Sequence, residues 1–382
     1  MLYFDNAATS YPKPVEVRKA VEESFYSFGA NPGRSGHKMG METARKVFDS
    51  REKIADFFGL SESENLVFTK NCTEALNIVL MSIGSEGGHI IISDLEHNSV
   101  LRPLFELKKQ GKADFSVAEV FESEPEKTVE SFKKHIRKDT KLIAATGASN
   151  VFGIKLPVKK LAKLACENGI MLLVDMAQTA GTMKMDMDET GVDFVCAPGH
   201  KGLLGPMGTG ILAAKKPEFL KPHLFGGTGT YSLFPEQPAG LPEMLESGTL
   251  NVPGICGLSA GIEKVLAEGE ENIEKREIEL AKFIYSELSD MNKIKLFTLP
   301  PETKTHAPVI SFVFGDLSGE ETSALLSEKG VASRGGFHCA ALAHQKMGTE
   351  NRGTCRLSIG YMNTPEQVLK LIGIIHGLSK KY

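Results

Sequence analysis

The chain has 382 residues, a length that predicts one large domain and a smaller companion. Hydrophobic residues make up 41% and charged residues 24% of it, as is typical of a globular protein, and the net charge is -4 without a dominant Lys/Arg run. This charge pattern argues against nucleic-acid partners and anionic membranes, and it favours a small-molecule substrate.

The first residues and the cysteines indicate the setting of the protein. Residues 1–14 lack the basic start and apolar stretch of a secretion signal, and no window approaches the ~20 apolar residues of a membrane span. We therefore expect a cytoplasmic protein with no membrane partner. Six cysteines are scattered without a CxxC pair, which argues against disulfide frameworks and zinc sites. No metal site is expected.

Short apolar runs alternate with amphipathic stretches from about residue 15 to residue 215. In chain order, the runs with strand composition are LVFT, HIIIS, FSVAEV, LIAATGAS, IMLLVDMA, FVCAP and TGILAA. Helical periodicity between most of them predicts an α/β fold in which helices cover a mostly parallel sheet. Pro157 marks the start of one helix and Gly169 marks its end.

The pattern changes after Pro253. One long helical stretch, GLSAGIEKVLAEGEENIEKREIELAKFIYSEL, is followed by strands KLFT, VISFVF and CRLSIGY and by further helices. We predict a large domain at 15–255 and a small α+β domain formed by 1–14 and 256–382. The irregular segment FGGTGTYSLFPEQPAGLPEMLESGTLNVPG is long enough to indicate a functional or interface role.

A lysine stands inside the Gly-rich sequence APGHKGLLGPMGTG, directly after an apolar strand. The glycines allow other groups to approach it closely. A desolvated lysine loses its proton readily and can form a Schiff base with an aldehyde cofactor, which is the role we predict for Lys201. The alternative is an ordinary loop lysine beside a Gly-rich turn.

An aspartate and a histidine follow predicted strands at the edge of the sheet where open α/β folds bind ligands. Within IMLLVDMA, Asp175 ends a strongly apolar strand and could keep a pyridine nitrogen protonated. His97 follows HIIIS, and its ring could stack on a planar cofactor or move a proton. Helix capping by Asp175 and a structural role for His97 are the alternatives.

Other polar residues converge on the same edge. Cys72 and Thr73 open a helix after a strand, so free N–H groups and a hydroxyl can receive an anion. Asn150 and Gln178 could hydrogen-bond a ring oxygen of the cofactor. Simple capping or turn formation would explain each residue separately, but coincidence explains their convergence poorly.

The predicted small domain contributes a thiol and a guanidinium group. Cys339 follows a flexible Gly-Gly pair and stands beside His338, a setting that could expose a thiol and lower its pKa. Arg356 could clamp a substrate α-carboxylate with its planar fork. A buried, inert cysteine and a surface ion pair are the alternatives.

The sequence resembles the class V aminotransferase superfamily and, within it, the cysteine desulfurase and selenocysteine lyase branch. The match runs nearly from end to end, in order, through YFDNAAT, ANPGRSGH, NCTEALN, EHNS, SNVFG, VDMAQ, GHKGLLGP, ESGTLNVPG, RGGFHCA and RLSIGYMNT. The form RGGFHCA is similar to the branch with a short, constrained cysteine loop. The resemblance implies fold type I of the enzymes that depend on pyridoxal 5'-phosphate.

The resemblance also implies roles for the residues around the cofactor ring. Lys201 holds the cofactor covalently, Asp175 pairs with the pyridine nitrogen, and His97 stacks on the ring and takes part in catalysis. Gln178 and Asn150 address the phenolic oxygen, and Asn150 also contacts the substrate.

The phosphate and substrate groups are assigned by the same resemblance. Thr73 and His200, together with the helix start at Cys72, bind the cofactor phosphate. Thr249 reaches the cofactor phosphate of a second subunit, which implies a homodimer with shared sites. Arg356 binds the substrate carboxylate. Cys339 accepts the sulfur.

The chain departs from the family at Pro198, where a Ser or Thr is usual, so one hydroxyl contact to phosphate is missing. The implied activity converts L-cysteine to L-alanine and leaves a persulfide on Cys339 for a sulfur-acceptor protein. The alternatives are a selenocysteine lyase acting on L-selenocysteine, a class V aminotransferase acting on another amino acid, and a sulfur-trafficking scaffold. A dehydrogenase is disfavoured because no GxGxxG follows the first strand.

Overall fold

The computed structural model describes residues 1–33 and 36–381. The strands are β1 (Leu2–Tyr3), β2 (Leu66–Thr69), β3 (His89–Ser93), β4 (Asp114–Ala118), β5 (Thr140–Thr146), β6 (Met171–Asp175), β7 (Phe194–Pro198), β8 (Gly210–Ala214), β9 (Ile294–Leu296), β10 (Val309–Phe314), β11 (Val331–Ala332), β12 (Arg334–Gly336) and β13 (Thr354–Ser358). The helices are α1 (Val15–Tyr26), α2 (Lys38–Phe57), α3 (Cys72–Ser85), α4 (Asn98–Lys109), α5 (Pro125–Lys134), α6 (Val158–Glu167), α7 (Met187–Thr190), α8 (Val252–Glu268), α9 (Glu270–Ser289), α10 (Gly319–Glu328), α11 (Ala341–Lys346) and α12 (Pro365–Ser379).

The largest sheet has seven strands in the order β2-β8-β7-β6-β5-β3-β4. Strands β4, β3, β5, β6 and β7 pair in parallel, whereas β8 is antiparallel to both of its neighbours. The segment 199–209 between β7 and β8 is too short for the helical crossover that a parallel pair needs, so β8 has to reverse direction. The predicted α/β fold with a mostly parallel sheet is confirmed.

Helices cover both faces of this sheet, which explains the continuous apolar runs of its strands. Strands β3, β6, β7 and β8 are buried along their whole length. Along β3, Ile91 packs into one hydrophobic cluster while Ile90 and Ile92 pack into another on the opposite face. This alternation follows from the two-residue period of a strand.

The C-terminal part contains an antiparallel sheet in the order β12-β13-β10-β9. Its own hydrophobic cluster includes Phe312, Leu357 and Ile375. Strand β1 pairs in parallel with β11, which ties the N-terminus to this part of the chain. Helix α8 spans residue 255, and its Leu258 packs into the cluster that contains Ile91. The domain limits proposed from the sequence stay a prediction.

Several local features differ from the sequence-based expectation. The long helical stretch is two helices, α8 and α9, because Gly269 adopts a positive φ of 83° between them. Helix α6 follows Pro157 as predicted, and Gly169 beyond its end has a φ of 66°. Strands β1, β11 and β12 were not predicted, since two or three residues carry too little pattern. Among the described residues, no helix combines the length and apolar character needed to cross a membrane.

Candidate active site

Most of the residues predicted to bind a cofactor line one cavity of about 110 Å³. It lies at the carboxyl edge of the large sheet, where β2, β3, β5, β6 and β7 end. The predicted residues that line it are Cys72, Thr73, His97, Asn150, Asp175, Gln178, His200 and Lys201. The structure therefore brings together groups that are spread over some 130 positions of sequence.

Lys201 follows β7 and lines the cavity. Burial lowers the pKa of Lys201 to about 8, and the positive charge of Arg356 acts in the same direction. Its backbone is held in place, because the carbonyl of Lys201 accepts a hydrogen bond from Oγ of Ser10 at 2.9 Å. The amine can thus lose its proton near neutral pH.

His200 precedes the lysine and is anchored by the N-terminal segment. Its carbonyl accepts hydrogen bonds from Nζ of Lys13 at 2.7 Å and from the backbone N–H of Ser10 at 3.1 Å. Burial lowers the pKa of His200 to about 4, so the ring is neutral at physiological pH. Within the described part of the chain, the buried Nδ1 of this ring has no hydrogen-bond partner.

Asp175 ends β6 and is buried. Its Oδ1 accepts a hydrogen bond from the backbone N–H of Ala177 at 2.9 Å. The thiol of Cys72 donates to the same oxygen at 3.5 Å, and burial together with the Asp175 charge raises the pKa of Cys72. Cys72 therefore stays protonated as a donor, and helix α3 begins beside the carboxylate.

His97 caps the N-terminus of α4. Its Nδ1 accepts a hydrogen bond from the backbone N–H of Ser99 at 3.1 Å and lies 2.8 Å from the hydroxyl of that residue. Burial lowers the pKa of His97, although the charge of Asp175 opposes this shift. A neutral ring with an accepting Nδ1 carries its proton on Nε2.

Asn150 and Gln178 each use a side-chain N–H within the protein. Nδ2 of Asn150 donates to the carbonyl of His338 at 2.8 Å, and Nε2 of Gln178 donates to the carbonyl of Ala7 at 3.1 Å. Oδ1 of Asn150 is buried without a partner among the described residues. Each amide nitrogen retains a second hydrogen that a ligand in the cavity can use.

Arg356 lies on β13 and contacts the rim of the cavity rather than lining it. Its Nη1 donates to the carbonyl of Asn150 at 2.8 Å, and its Nη2 lies 2.8 Å from Oδ1 of Asp5. The arginine side chain is 3% exposed. The predicted substrate-binding guanidinium group is thus already paired with an acidic residue of the N-terminal segment.

The predicted sulfur-accepting residue, Cys339, is exposed. The preceding glycines are not a flexible pair, because they belong to strand β12. A Cβ atom on Gly335 would lie 2.4 Å from the carbonyl oxygen of Gly319, so close packing explains the glycine. Burial lowers the pKa of His338 to about 3, and this neighbour is therefore neutral rather than cationic.

Two further residues concern the phosphate. Thr249 lies outside the cavity in an exposed position, where it lines a separate cleft of about 660 Å³ with residues such as Gly33 and Thr228. Its assignment to the site of a second subunit stays a prediction. Pro198 does line the cavity, at the end of β7.

Residues 2–371 match the sequence profile of the family Aminotransferase class-V. The chain belongs to the class V aminotransferase family. This class V aminotransferase is 33% identical to a probable cysteine desulfurase of Methanothermobacter thermautotrophicus over 97% of this chain and 93% of the relative. It is 34% identical to a probable cysteine desulfurase of Pyrococcus abyssi over 100% of this chain and 94% of the relative.

A solved structure is similar over the whole fold. The apo structure of a cysteine desulfurase from Thermococcus onnurineus NA1 has a TM-score of 0.92 and 32% identity, and it covers 100% of this chain and 95% of that chain. The resemblance predicted from the sequence motifs is confirmed, and so is fold type I for this class V aminotransferase.

Sequence reasoning missed several polar and charged residues near the cavity of this class V aminotransferase. Asp5, Ser10 and Lys13 lie in or beside the motif YFDNAAT, but their contacts join positions far apart in sequence and leave no local signal. Glu96 was also missed. It is fully buried beside His97, and its position within the motif EHNS was the signal that could have singled it out.

Proposed function

We propose that this chain is a cysteine desulfurase that depends on pyridoxal 5'-phosphate, converts L-cysteine to L-alanine and receives the sulfur on Cys339. One observation carries the proposal. A desolvated lysine, Lys201, shares a cavity with Asp175 and His97, and the exposed thiol of Cys339 belongs to a turn that is hydrogen-bonded to the rim of that cavity. The similarity to cysteine desulfurases over nearly the whole chain supports it.

The residues that line the cavity fit this cofactor. The Lys201 amine suits its aldehyde, and the buried carboxylate of Asp175 suits its pyridine nitrogen. The unpartnered Nδ1 of His200 and the N-terminus of α3 at Thr73 suit an anionic phosphate group. A second N–H of Asn150 is available for a ring oxygen.

When bound, the cofactor supplies an electron sink that weakens bonds at the α-carbon of an amino acid. The free amine of Lys201, available because of its lowered pKa, accepts the α-proton at Nζ. Arg356 orients the substrate through its carboxylate, and the neutral ring of His97 holds a transferable proton on Nε2.

The sulfur transfer itself takes place at Cys339. Its thiolate sulfur forms an S–S bond with the substrate sulfur while the C–S bond of the substrate breaks. The electron pair of that bond stays with carbon, which takes up a proton to become the methyl group of alanine, and Nζ of Lys201 returns a proton to the α-carbon. One cysteine and one enzyme thiol give one alanine and one persulfide, so no external oxidant or reductant is consumed.

The proposal includes the setting of the reaction. The exposed position of Cys339 would allow a sulfur-acceptor protein to reach the persulfide. Thr249 and the cleft around it would complete the site of a second copy in a homodimer, because Thr249 lies away from the cavity of its own chain. The cytoplasmic location stays part of this proposal.

Incubation with L-cysteine followed by intact-mass analysis tests the function. We expect alanine in solution and a protein heavier by one sulfur atom at Cys339. Cys339→Ala should keep the colour of the bound cofactor and lose both the added sulfur and the sulfide release. A keto acid with full activity in Cys339→Ala would identify an aminotransferase instead. Preferential turnover of L-selenocysteine would identify a selenocysteine lyase.

A further inference from the structure

The thiol of Cys339 lies on a four-residue turn from Phe337 to Ala340, which we call the thiol turn. The backbone N–H of Ala340 closes it by donating to the carbonyl of Phe337 at 3.1 Å. The two central residues, His338 and Cys339, have positive φ angles of 52° and 56°. Such turns normally contain Gly, Asn or Asp at these positions, because a Cβ atom disfavours the left-handed conformation.

A strained turn persists only when its surroundings hold it. Nδ2 of Asn150 donates to the carbonyl of His338 at 2.8 Å, and the backbone N–H of Asn98 donates to the carbonyl of Cys339 at 2.7 Å. A third contact joins Nε2 of the His338 ring to the carbonyl of Arg334 at 3.1 Å. The carbonyl groups of both strained residues therefore accept hydrogen bonds from Asn150, which follows β5, and from Asn98, at the start of α4.

Asn150 stands between the cavity and this turn. It lines the cavity, its side-chain nitrogen bonds to the thiol turn, and its backbone carbonyl accepts the hydrogen bond from Nη1 of Arg356 at 2.8 Å. A continuous line of hydrogen bonds thus runs from the guanidinium group of Arg356, through one residue, to the residue before the thiol. No other described side chain donates to the carbonyl of His338.

We infer that Asn150 is a positioning residue for Cys339: its side-chain amide holds the thiol turn against the cavity so that the sulfur stands where a substrate bound at Arg356 can reach it. This role differs from a contact with the cofactor ring, because it uses the N–H that points to His338. The effect of this positioning role on the reaction of Cys339 rests on the proposed function. The link between Asn150 and the turn exists without any ligand.

The link can be tested in cofactor-free protein. Asn150→Asp keeps the shape of the side chain and replaces the donor with an acceptor that repels the His338 carbonyl. We expect the backbone amide of Asn98, which bonds to Cys339, to exchange with deuterium about tenfold faster than in the original chain, because one hydrogen bond that holds the turn is lost. Residue-resolved hydrogen–deuterium exchange by mass spectrometry measures this rate.

Two further variants keep the exchange test decisive. Asn150→Ala removes the donor without adding charge, and it carries the same expectation if Asn150→Asp does not fold. Asn98→Ala is the matched control, because Asn98 uses its backbone N–H and should keep the original protection. Unchanged exchange at position 98 in both folded Asn150 variants would overturn the inference.

A second measurement separates positioning from cofactor contact. In the loaded enzyme, a stopped-flow experiment with cysteine follows the colour change of the cofactor, and quenched samples give the persulfide on Cys339. We expect Asn150→Ala to slow persulfide formation about tenfold more than it slows the colour change, because the variant loses the bond to the thiol turn in addition to its contact with the ring, and misplacement of a reacting group affects its own step. Equal slowing of both steps would contradict the inference. If the original chain forms no persulfide, the proposed function fails, and the exchange experiment still decides the role of Asn150.

Discussion

Oδ1 of Asp5 lies 2.8 Å from Nη2 of Arg356, although the two residues stand near opposite ends of the chain. The other carboxylate oxygen of Asp5 lies 3.1 Å from Nη2 of Arg334. The Asp5 side chain is 14% exposed and the Arg356 side chain 3%, so this pair is shielded from water. One carboxylate therefore balances two guanidinium groups beside the cavity.

Asp5→Ala should destabilise the cofactor-free protein by about 3 kcal/mol, because it leaves the buried charge of Arg356 without its acidic partner. Urea unfolding measures the change in the free energy of unfolding. Asp49→Ala is the control, since Asp49 makes a long, exposed ion pair with Arg45 and should leave the unfolding midpoint unchanged. Equal effects of the two substitutions would contradict the importance of the buried pair.

Lys201→Met should be more stable than the original cofactor-free chain at about pH 7, because the folded variant no longer has to bury a charged amine. The pKa of Lys201 is about 8 when folded, against 10.5 in the unfolded chain. Between these two pKa values Lys201 is protonated in the unfolded chain and neutral in the folded protein, so the stability of the original chain rises with pH. The difference in the free energy of unfolding between Lys201→Met and the original chain therefore narrows over this pH range. Unfolding curves from pH 7 to pH 10 measure this, and a constant difference would show that the lysine is not desolvated.

Pro198→Ser introduces a hydroxyl at the end of β7, in the lining of the cavity proposed to hold the phosphate. We expect the loaded protein to lose pyridoxal 5'-phosphate about tenfold more slowly during dialysis, since a hydrogen bond to a charged phosphate is among the stronger ones. Pro217→Ser, at the start of the short 3-10 helix Pro217–Phe219, is the matched control, because Pro217 does not line the cavity. Loss at the same rate in the original chain and in Pro198→Ser would refute the assignment of this position to the phosphate.

Glu96→Gln should remove a pH dependence of stability. Oε1 of Glu96 accepts a hydrogen bond from the backbone N–H of Thr146 at 2.8 Å, while burial raises the pKa of Glu96 to about 8. Between about pH 4.5 and pH 8 the Glu96 carboxyl keeps its proton in the folded protein but has lost it in the unfolded chain, where its pKa is 4.5. Because the folded state binds more protons in this pH range, the original chain loses stability as the pH rises through it.

Glutamine keeps the acceptor and cannot ionise, so the slope contributed by this position should disappear in Glu96→Gln. Chemical unfolding at several pH values between 5 and 8 gives the slope for each protein. Glu126→Gln, at an exposed position, should leave the slope nearly as it is in the original chain. A Glu96→Gln slope as steep as the original one would mean that Glu96 is ionised in the folded protein.

The large sheet and most of its cavity could be predicted from the sequence for one physical reason. Strands buried on both faces read as continuous apolar runs, and the residues after parallel strands meet at one edge. Asp175, His97 and Lys201 follow directly from that rule. The position of Arg356 beside the same edge came from the family resemblance, because no local pattern joins two sheets.

Other features could not be predicted because they depend on contacts between distant segments. The pairing of Asp5 with Arg356 and the anchoring of the His200 carbonyl by Lys13 have no local signal. The pair of glycines before Cys339 suggested flexibility, whereas packing against Gly319 explains Gly335. At Gly269, a positive φ divides a helical stretch whose apolar periodicity continues through it.

The parallel pairing of β1 with β11 has a consequence for how the protein is made. Residues 2 and 3 can pair only after residues 331 and 332 have been synthesised. Asp5 likewise can form its ion pair only after Arg356, more than three hundred positions later, has been synthesised. A ribosome-bound chain can form much of the large sheet early, yet the residues of the cavity are also contacted by Ser10 of the N-terminal segment and by Arg356. Completion of the rim therefore follows synthesis of the chain as far as Arg356.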